Sequence, residues 1–353
     1  MKALVLCGGK GTRLRPLTYT IPKQLVPIAN RPILGYVFDH LQNAGITDIG
    51  VIISPETGDA IKGYLGTGEN WHVRLTYILQ PQPLGIAHAV KTARDFLGAE
   101  PFVVYLGDNL LQDGLTDALT TFVSQNADAL VLLKKVPDPR QFGVVVLKDN
   151  KVISLVEKPA QPPSDLALVG VYVFSPKIHP VIERLSYSAR GELEITDALQ
   201  KLIEEKSPVI PKIITGWWLD TGKKDDLLNA NQAVLETYCQ HLLEGEIKES
   251  KVIGAVTVRP GAKIIDSRLI GPVAIGENAV IEDATIGPCV SIEPHCAISS
   301  SVIKHSVIME KSRIINVNFL EKSLIGREVV VKSKLMQIHP FRLLLSDSSE
   351  VEL

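Results

Sequence analysis

Between Val258 and Ile314 a β-branched aliphatic returns every five or six residues, at Val258, Ile264, Ile270, Ile275, Ile281, Ile286, Ile292, Ile298, Ile303, Ile308 and Ile314. Neither the 3.6-residue period of a helix nor the two-residue alternation of a single long strand produces that spacing. Turn-forming corners punctuate it, as in Ile270-Gly271-Pro272, Ile275-Gly276-Glu277-Asn278 and Ile286-Gly287-Pro288. A chain patterned in this way winds into a coiled prism of short parallel strands, each coil burying its aliphatics on the next. An irregular β-sandwich is the alternative.

The first 240 or so residues have a different texture. Short apolar runs (residues 3–7, 49–54, 75–80, 102–106 and 129–133) alternate with amphipathic stretches such as Ile33 to Asn43, closed by Gly45, and Ile86 to Leu97, closed by Gly98. That is the sequence form of an α/β, Rossmann-like domain with a mixed, mostly parallel sheet, which places ligands beyond the carboxyl ends of its strands. Two apolar runs flanking Asp149-Asn150 read as an inserted hairpin, and Lys223 to His241 as a closing helix. The charged run 244–249 sets an expected boundary between domains 1–242 and 243–353.

Composition narrows the function classes. With a net charge of -2, the chain carries no electrostatic footprint for nucleic acid. No stretch reaches the roughly 18 apolar residues of a membrane span, and Met1-Lys2 leads directly into an apolar strand without a leader, so a cytoplasmic protein is expected. Cysteines 7, 239, 289 and 296 lack the paired short spacing of a zinc site or disulfide framework, and Cys7 reads as packing rather than as a nucleophile.

The chemistry gathers at strand ends. After the first apolar run, Gly8, Gly9 and Gly11 free the backbone to approach an anion, and Arg13 and Lys23 add positive charge. The spacing is neither that of a P-loop nor the dinucleotide fingerprint, so a different cradle for a nucleoside triphosphate is implied. Asp108 in Gly107-Asp108-Asn109 and Asp220 in Leu219-Asp220-Thr221-Gly222 both end apolar approaches at a glycine, and two such carboxylates suit Mg2+ bridging phosphates. A turn or helix cap is the other reading of either aspartate. Glu157-Lys158-Pro159 puts opposite charges on neighbouring residues, which face one pocket only if the chain bends there; an exposed ion pair is the alternative. Gln24 and Gln80 each carry the donor and acceptor that a pyrimidine imide edge requires, although either could be a surface glutamine. Gly85 would allow close approach of a base or sugar, and His88 reads as packing or capping.

Eight blocks, from Gly8-Gly9-Lys10-Gly11-Thr12-Arg13-Leu14 and Pro22-Lys23-Gln24-Leu25, through Gly85 to Ala89, Gly107 to Asn109, Phe142 to Val144 and Val156 to Pro159, to Gly191 to Asp197 and Trp218 to Gly222, resemble in order the sugar-1-phosphate nucleotidyltransferases. The remainder resembles the left-handed hexapeptide β-helix. The resemblance implies that Gly8, Gly9, Gly11 and Thr12 wrap the nucleotide while Arg13 and Lys23 carry its triphosphate. It further implies that Gln24 and Gln80 hold the thymine of dTTP, with UTP as the competing nucleotide, and that Gly85 lies beside them. Asp108 and Asp220 would ligate magnesium, and Gly143, Glu157, Lys158 and Gly170 would hold glucose 1-phosphate. A homo-oligomer is expected. Since β-helices of this kind also serve acyltransferases, His295 and His305 make a second, acyl-transfer activity an alternative. A catalytically silent scaffold is another, and Phe341-Arg342-Leu343-Leu344-Leu345 is a candidate plug or subunit contact.

Overall fold

A computed structural model describes residues 1–333 and 339–353. The α/β portion opens with β1 (Lys2–Leu6), a short hairpin of β2 (Pro27–Ile28) and β3 (Arg31–Pro32), α1 (Ile33–Asn43), β4 (Asp48–Ile53), α2 (Gly58–Leu65) and β5 (Arg74–Leu79). It continues through α3 (Ile86–Thr92), α4 (Arg94–Leu97), β6 (Phe102–Leu106), β7 (Asn109–Leu111), α5 (Thr116–Ser124), β8 (Ala129–Lys135), β9 (Gly143–Lys148) and β10 (Lys151–Glu157). It closes with β11 (Leu166–Phe174), α6 (Ile178–Glu183), α7 (Ile195–Glu204), β12 (Val209–Ile213), β13 (Trp218–Asp220) and α8 (Lys224–Tyr238).

The large sheet runs β10-β9-β11-β6-β1-β4-β5, with β8 and β12 joined through β11. The pairings of β1 with β4 and β6, of β4 with β5 and of β8 with β12 are parallel, whereas β11 runs against β6, β8 and β9, and β10 against β9. Seven of the nine strands therefore run in one direction, with β10 and β11 opposed, and the sheet is mixed and mostly parallel, as expected. All nine residues of β11 are buried, the continuous apolar run of a strand covered on both faces. The expected helix from Ile86 to Leu97 is interrupted at Ala93. Thr92 Oγ1 bonds the carbonyl of His88 at 2.9 Å and competes with the backbone ladder, while Ala93 N–H still reaches Ala89.

From Leu242 the chain forms a parallel β-helix of three stacked-strand sheets, consistent with the left-handed form. Registers such as Lys263 opposite Val280 and Ala274 opposite Ser291 give 17 residues per coil. The interior columns run Val258, Ile275, Ile292, Ile308, Ile325 and Ile264, Ile281, Ile298, Ile314, Val331, all essentially without exposure. In the third column the sequence pattern errs by one residue. Leu269, not Ile270, stacks below Ile286 and Ile303, because alternate residues of a strand face opposite sides. Corner serines complete the coils: Ser267 Oγ bonds the Ile265 carbonyl at 2.7 Å and accepts the Ala284 N–H at 3.1 Å. The candidate plug is the last coil itself, since Leu344–Leu345 extends the first sheet and Phe341, Leu343 and Leu345 pack on the aliphatic core.

Contacts divide the chain into two compact units, Met1–Lys10 with Leu34–Leu219, and Gly11–Ile33 with Asp220–Leu353. The segment between the glycine loop and α1, together with α8, thus groups with the β-helix. Among the described residues, no helix is long and apolar enough to cross a membrane.

Candidate active site

In the first unit, β1 ends at Leu6 and delivers Gly8 beside Gln80, which follows β5. A Cβ on Gly8 would sit 3.3 Å from Gln80 Oε1. Gln80 is buried, and its amide nitrogen donates to His88 Nδ1 at 2.9 Å and to the Gly85 carbonyl at 3.4 Å. Burial lowers the His88 pKa, so the ring is neutral and can accept at Nδ1. His88 therefore orients Gln80, a role between the packing read from sequence and catalysis. Gly85 has a different reason for being glycine than the one expected. Its φ is +103°, and a Cβ would lie 2.4 Å from the Leu193 carbonyl, so packing already requires glycine there whether or not a ligand approaches.

The carboxylate and cation of Glu157-Lys158 do share one side. Lys158 has φ +40°, a left-handed conformation that costs a lysine energy and reverses the usual alternation after β10. Lys158 Nζ stands 3.3 Å from Glu157 Oε1, which also receives Arg190 at 3.1 Å, and Thr196 donates to Glu157 Oε2 at 3.3 Å. Arg190 further binds Glu192 and Glu194. Burial raises the carboxyl pKa of Glu194, and burial followed by the Glu157 charge raises that of Asp197. Glu192, Glu194 and Asp197 of this group come from Gly191 to Asp197, a block the sequence reading matched without assigning roles, and Arg190 immediately precedes it. Gly143 lies against it, with Leu168 and Thr196 at 2.7 and 2.8 Å from a notional Cβ. Gly170 is likewise demanded by packing, its missing side chain replaced by Leu106 and Asn109.

Asp108 is buried at the entry to β7, where Asn109 donates to it at 3.1 Å. Trp218 Nε1 in turn donates to Asn109 Oδ1 at 2.6 Å, and β7 pairs with β13, at whose end stands Asp220.

In the second unit, Gly11 (φ +62°) caps a short 3-10 turn of Thr12–Leu14, with Thr12 and Arg13 exposed. Lys23 lies beside Gly11, its Cβ 3.3 Å from a notional Gly11 Cβ. The guanidinium of Arg13 covers Gly222, where a Cβ would meet Nη2 at 2.8 Å. Sequence reasoning missed Asp226, in the first turn of α8. Burial, followed by the charge of Asp220, raises its carboxyl pKa, while Lys223 and Arg13 oppose the shift. Two carboxylates repelling each other beside an arginine form a donor set that a divalent cation relieves. Among the described residues no group of three or more His, Cys, Asp or Glu side chains is placed to hold a metal ion.

Gln24 is 1% exposed within the turn Lys23–Leu25, and its Oε1 is buried without any hydrogen-bond partner. A buried orphan acceptor is costly unless a donor arrives from outside the chain. In the β-helix, His295 (φ +60°) and His305 (φ +44°) are corner residues, and the Cys289 and Cys296 thiols are pushed by burial up to about 11 and 12, which makes them inert.

Residues 2–237 match the nucleotidyl transferase family. A glucose-1-phosphate thymidylyltransferase of Streptomyces griseus is 44% identical over 357 residues, covering 100% of this chain and 99% of the relative. The low-salt glycan biosynthesis nucleotidyltransferase Agl11 of Haloferax volcanii is 50% identical over 237 residues, 67% of this chain and 66% of its own length. Among solved structures, one described as a glucose-1-phosphate thymidylyltransferase from Bacillus anthracis aligns with a TM-score of 0.63 at 37% identity, covering 65% of this chain and 94% of its own.

Proposed function

The chain belongs to the nucleotidyl transferase family, and from that premise we propose that it is the thymidylyltransferase that joins dTTP and glucose 1-phosphate into dTDP-glucose and pyrophosphate. Full-length similarity to the Streptomyces enzyme supports the reaction. The observation that carries the choice of an imide-bearing pyrimidine is Gln24, whose buried Oε1 awaits a donor. The imide N–H of thymine is such a donor, and the oriented amide of Gln80 offers a second contact. UTP carries the same imide, so discrimination rests on the thymine methyl, worth about 1 kcal/mol, or roughly fivefold.

The sugar phosphate is already anionic at neutral pH, so its oxygen attacks the α-phosphorus without a general base. One P–O bond forms to the α-phosphorus as the bond to the bridging β-oxygen breaks, and the electron pair leaves with pyrophosphate. In this reading Lys158 holds the attacking phosphate, and Glu157, fixed by Arg190 and Thr196, accepts hydroxyl protons of the sugar. Gly143 and Gly170 shape that side, as Gly8, Gly9, Gly11, Thr12 and Gly85 shape the nucleotide's. Arg13 and Lys23 offset the charge that grows on the leaving group. Asp108 and Asp220 would hold magnesium, with Asp226 beside the latter, and the ion would supply positive charge to offset that of the phosphates. Residues 1–242 are assigned as the catalytic domain and 243–353 as a β-helix for support and homo-oligomeric assembly.

The test is pyrophosphate release by purified protein with magnesium, glucose 1-phosphate and each nucleoside triphosphate in turn. Turnover is expected with dTTP, then UTP within about tenfold, and little with purines. Release that favours a purine nucleotide, or none with any, rejects the reading.

A further inference from the structure

The segment Gly11–Ile33 carries Thr12, Arg13, Lys23 and Gln24, yet it packs with α8 and the β-helix. Its end is the hairpin β2–β3, whose turn residues Ala29 and Asn30 are both left-handed, at φ +49° and +62°. A close polar network fixes this turn. The Ala29 N–H donates to Asn231 Oδ1 at 2.9 Å, and Ser291 Oγ donates to the same oxygen at 2.6 Å. Asn231 Nδ2 in turn donates to the Cys289 carbonyl at 3.4 Å. The Asn30 amide donates to the carbonyls of Ile292 at 2.7 Å and Ala274 at 3.2 Å, on successive coils. Asn231 is 1% exposed and Ser291 fully buried.

We propose that Asn30, Asn231 and Ser291 are positioning residues through which the β-helix holds the nucleotide-binding segment in place. The inference rests on the assignment of Thr12, Arg13, Lys23 and Gln24 to the nucleotide. Buried networks of this kind select one arrangement rather than add much net stability. The Asn30 Oδ1 atom illustrates the point, because it is buried without a donor and its amide is kept at that cost. Gln24 lies six residues before Asn30, and α8, which carries Asn231, starts four residues after Asp220. A loosened anchor therefore frees the nucleotide contacts first. The residues given to the sugar phosphate, Gly143, Glu157, Lys158 and Gly170, belong to the other unit and are not tied to this network.

The decisive variants are Asn30→Gly, which keeps the left-handed turn while removing the amide, and Ser291→Ala. Steady-state kinetics are run on both with dTTP and glucose 1-phosphate varied separately, alongside thermal melts and calorimetric titration of dTTP. Each variant is expected to raise the KM and dissociation constant for dTTP by about three- to tenfold, while the KM for glucose 1-phosphate and kcat stay within about twofold. A control in the exposed corner residue, Lys311→Ala, is expected to change neither. Folded variants whose two KM values are unchanged, or rise together, overturn the proposal. If Ser291→Ala does not fold, Asn30→Gly decides alone, because its lost bonds are offset by removal of the orphaned oxygen. Absence of turnover by the wild-type protein would instead strike at the proposed reaction, and dTTP titration of the variants would still test the anchor.

Discussion

Lys158 is the residue on which the chemistry most depends, and its left-handed φ of +40° is the strain that turns it toward Glu157. Lys158→Ala should lower kcat with dTTP and glucose 1-phosphate by about three orders of magnitude, since it removes an aligning charge from the attacking group. Its melting temperature should hold, because alanine keeps the same left-handed backbone and the exposed lysine head contributes nothing to the core. Near-normal turnover would remove Lys158 from the mechanism. Asp226 gives a test of opposite character. Its folded pKa is raised above the ordinary value of 3.8, so the folded state holds the proton more tightly than the unfolded chain. That contribution is present in acid and is lost as pH rises through the raised pKa. Asp226→Asn should therefore raise the melting temperature at pH 7, leave it unchanged near pH 3, and increase the magnesium needed for half-maximal activity. The sequence announced Lys158 and Gln24 through their motifs. It could not announce Asp226 or Arg190, whose roles arise from neighbours brought together by folding.

At the scale of elements, α8 and the coils make separate predictions. Gly222, two residues before α8, leaves room for the Arg13 guanidinium. Gly222→Ala should push Arg13 aside, a cheap movement for the end of a flexible side chain, and lower kcat/KM by about tenfold with little change in melting. Glu293 occupies a β-helix corner facing Glu310, Arg327 and Asp347, and burial pushes its carboxyl up to about 7. Its Oε2 accepts the Glu310 N–H at 3.1 Å. The folded state retains this proton, so stability should fall as pH rises from about 4.5 through 7 and then level off. Glu293→Gln keeps the acceptor and should flatten that slope, as thermal melts between pH 5 and 8 would reveal. A slope unchanged in the variant would exclude Glu293 as its source. Elements were the most legible scale. The 17-residue coil follows from aliphatic spacing, and α1 matches its expected limits. Ile270 was misplaced because a Leu-Ile pair satisfies the pattern at either position, and only the strand's pleat selects Leu269. The helix break at Ala93 depends on a Thr92 side-chain bond that periodicity does not contain.

For the whole molecule, the linear order of the sequence suggested a catalytic domain followed by an appended repeat. Contacts divide the chain otherwise, with the segment that carries Arg13, Lys23 and Gln24 packed in the β-helix unit. That regrouping was not legible, because turn residues such as Ala29-Asn30 look in sequence like those of any exposed hairpin. The reading of function was legible, since the cations and carboxylates that accompany glycines at strand ends are chemistry the fold itself does not need. Several of those glycines, Gly85, Gly143 and Gly170 among them, are also required by packing, so their presence alone is weaker support than that of Lys158 or Gln24. The central claim is transfer of the thymidylyl group itself, and dTTP labelled at the α-phosphorus tests it most directly. Incubated with magnesium, glucose 1-phosphate and this protein, the label should appear entirely in dTDP-glucose, and added pyrophosphate should return it to dTTP. Label released in pyrophosphate or free phosphate, or left wholly in dTTP, would contradict the account.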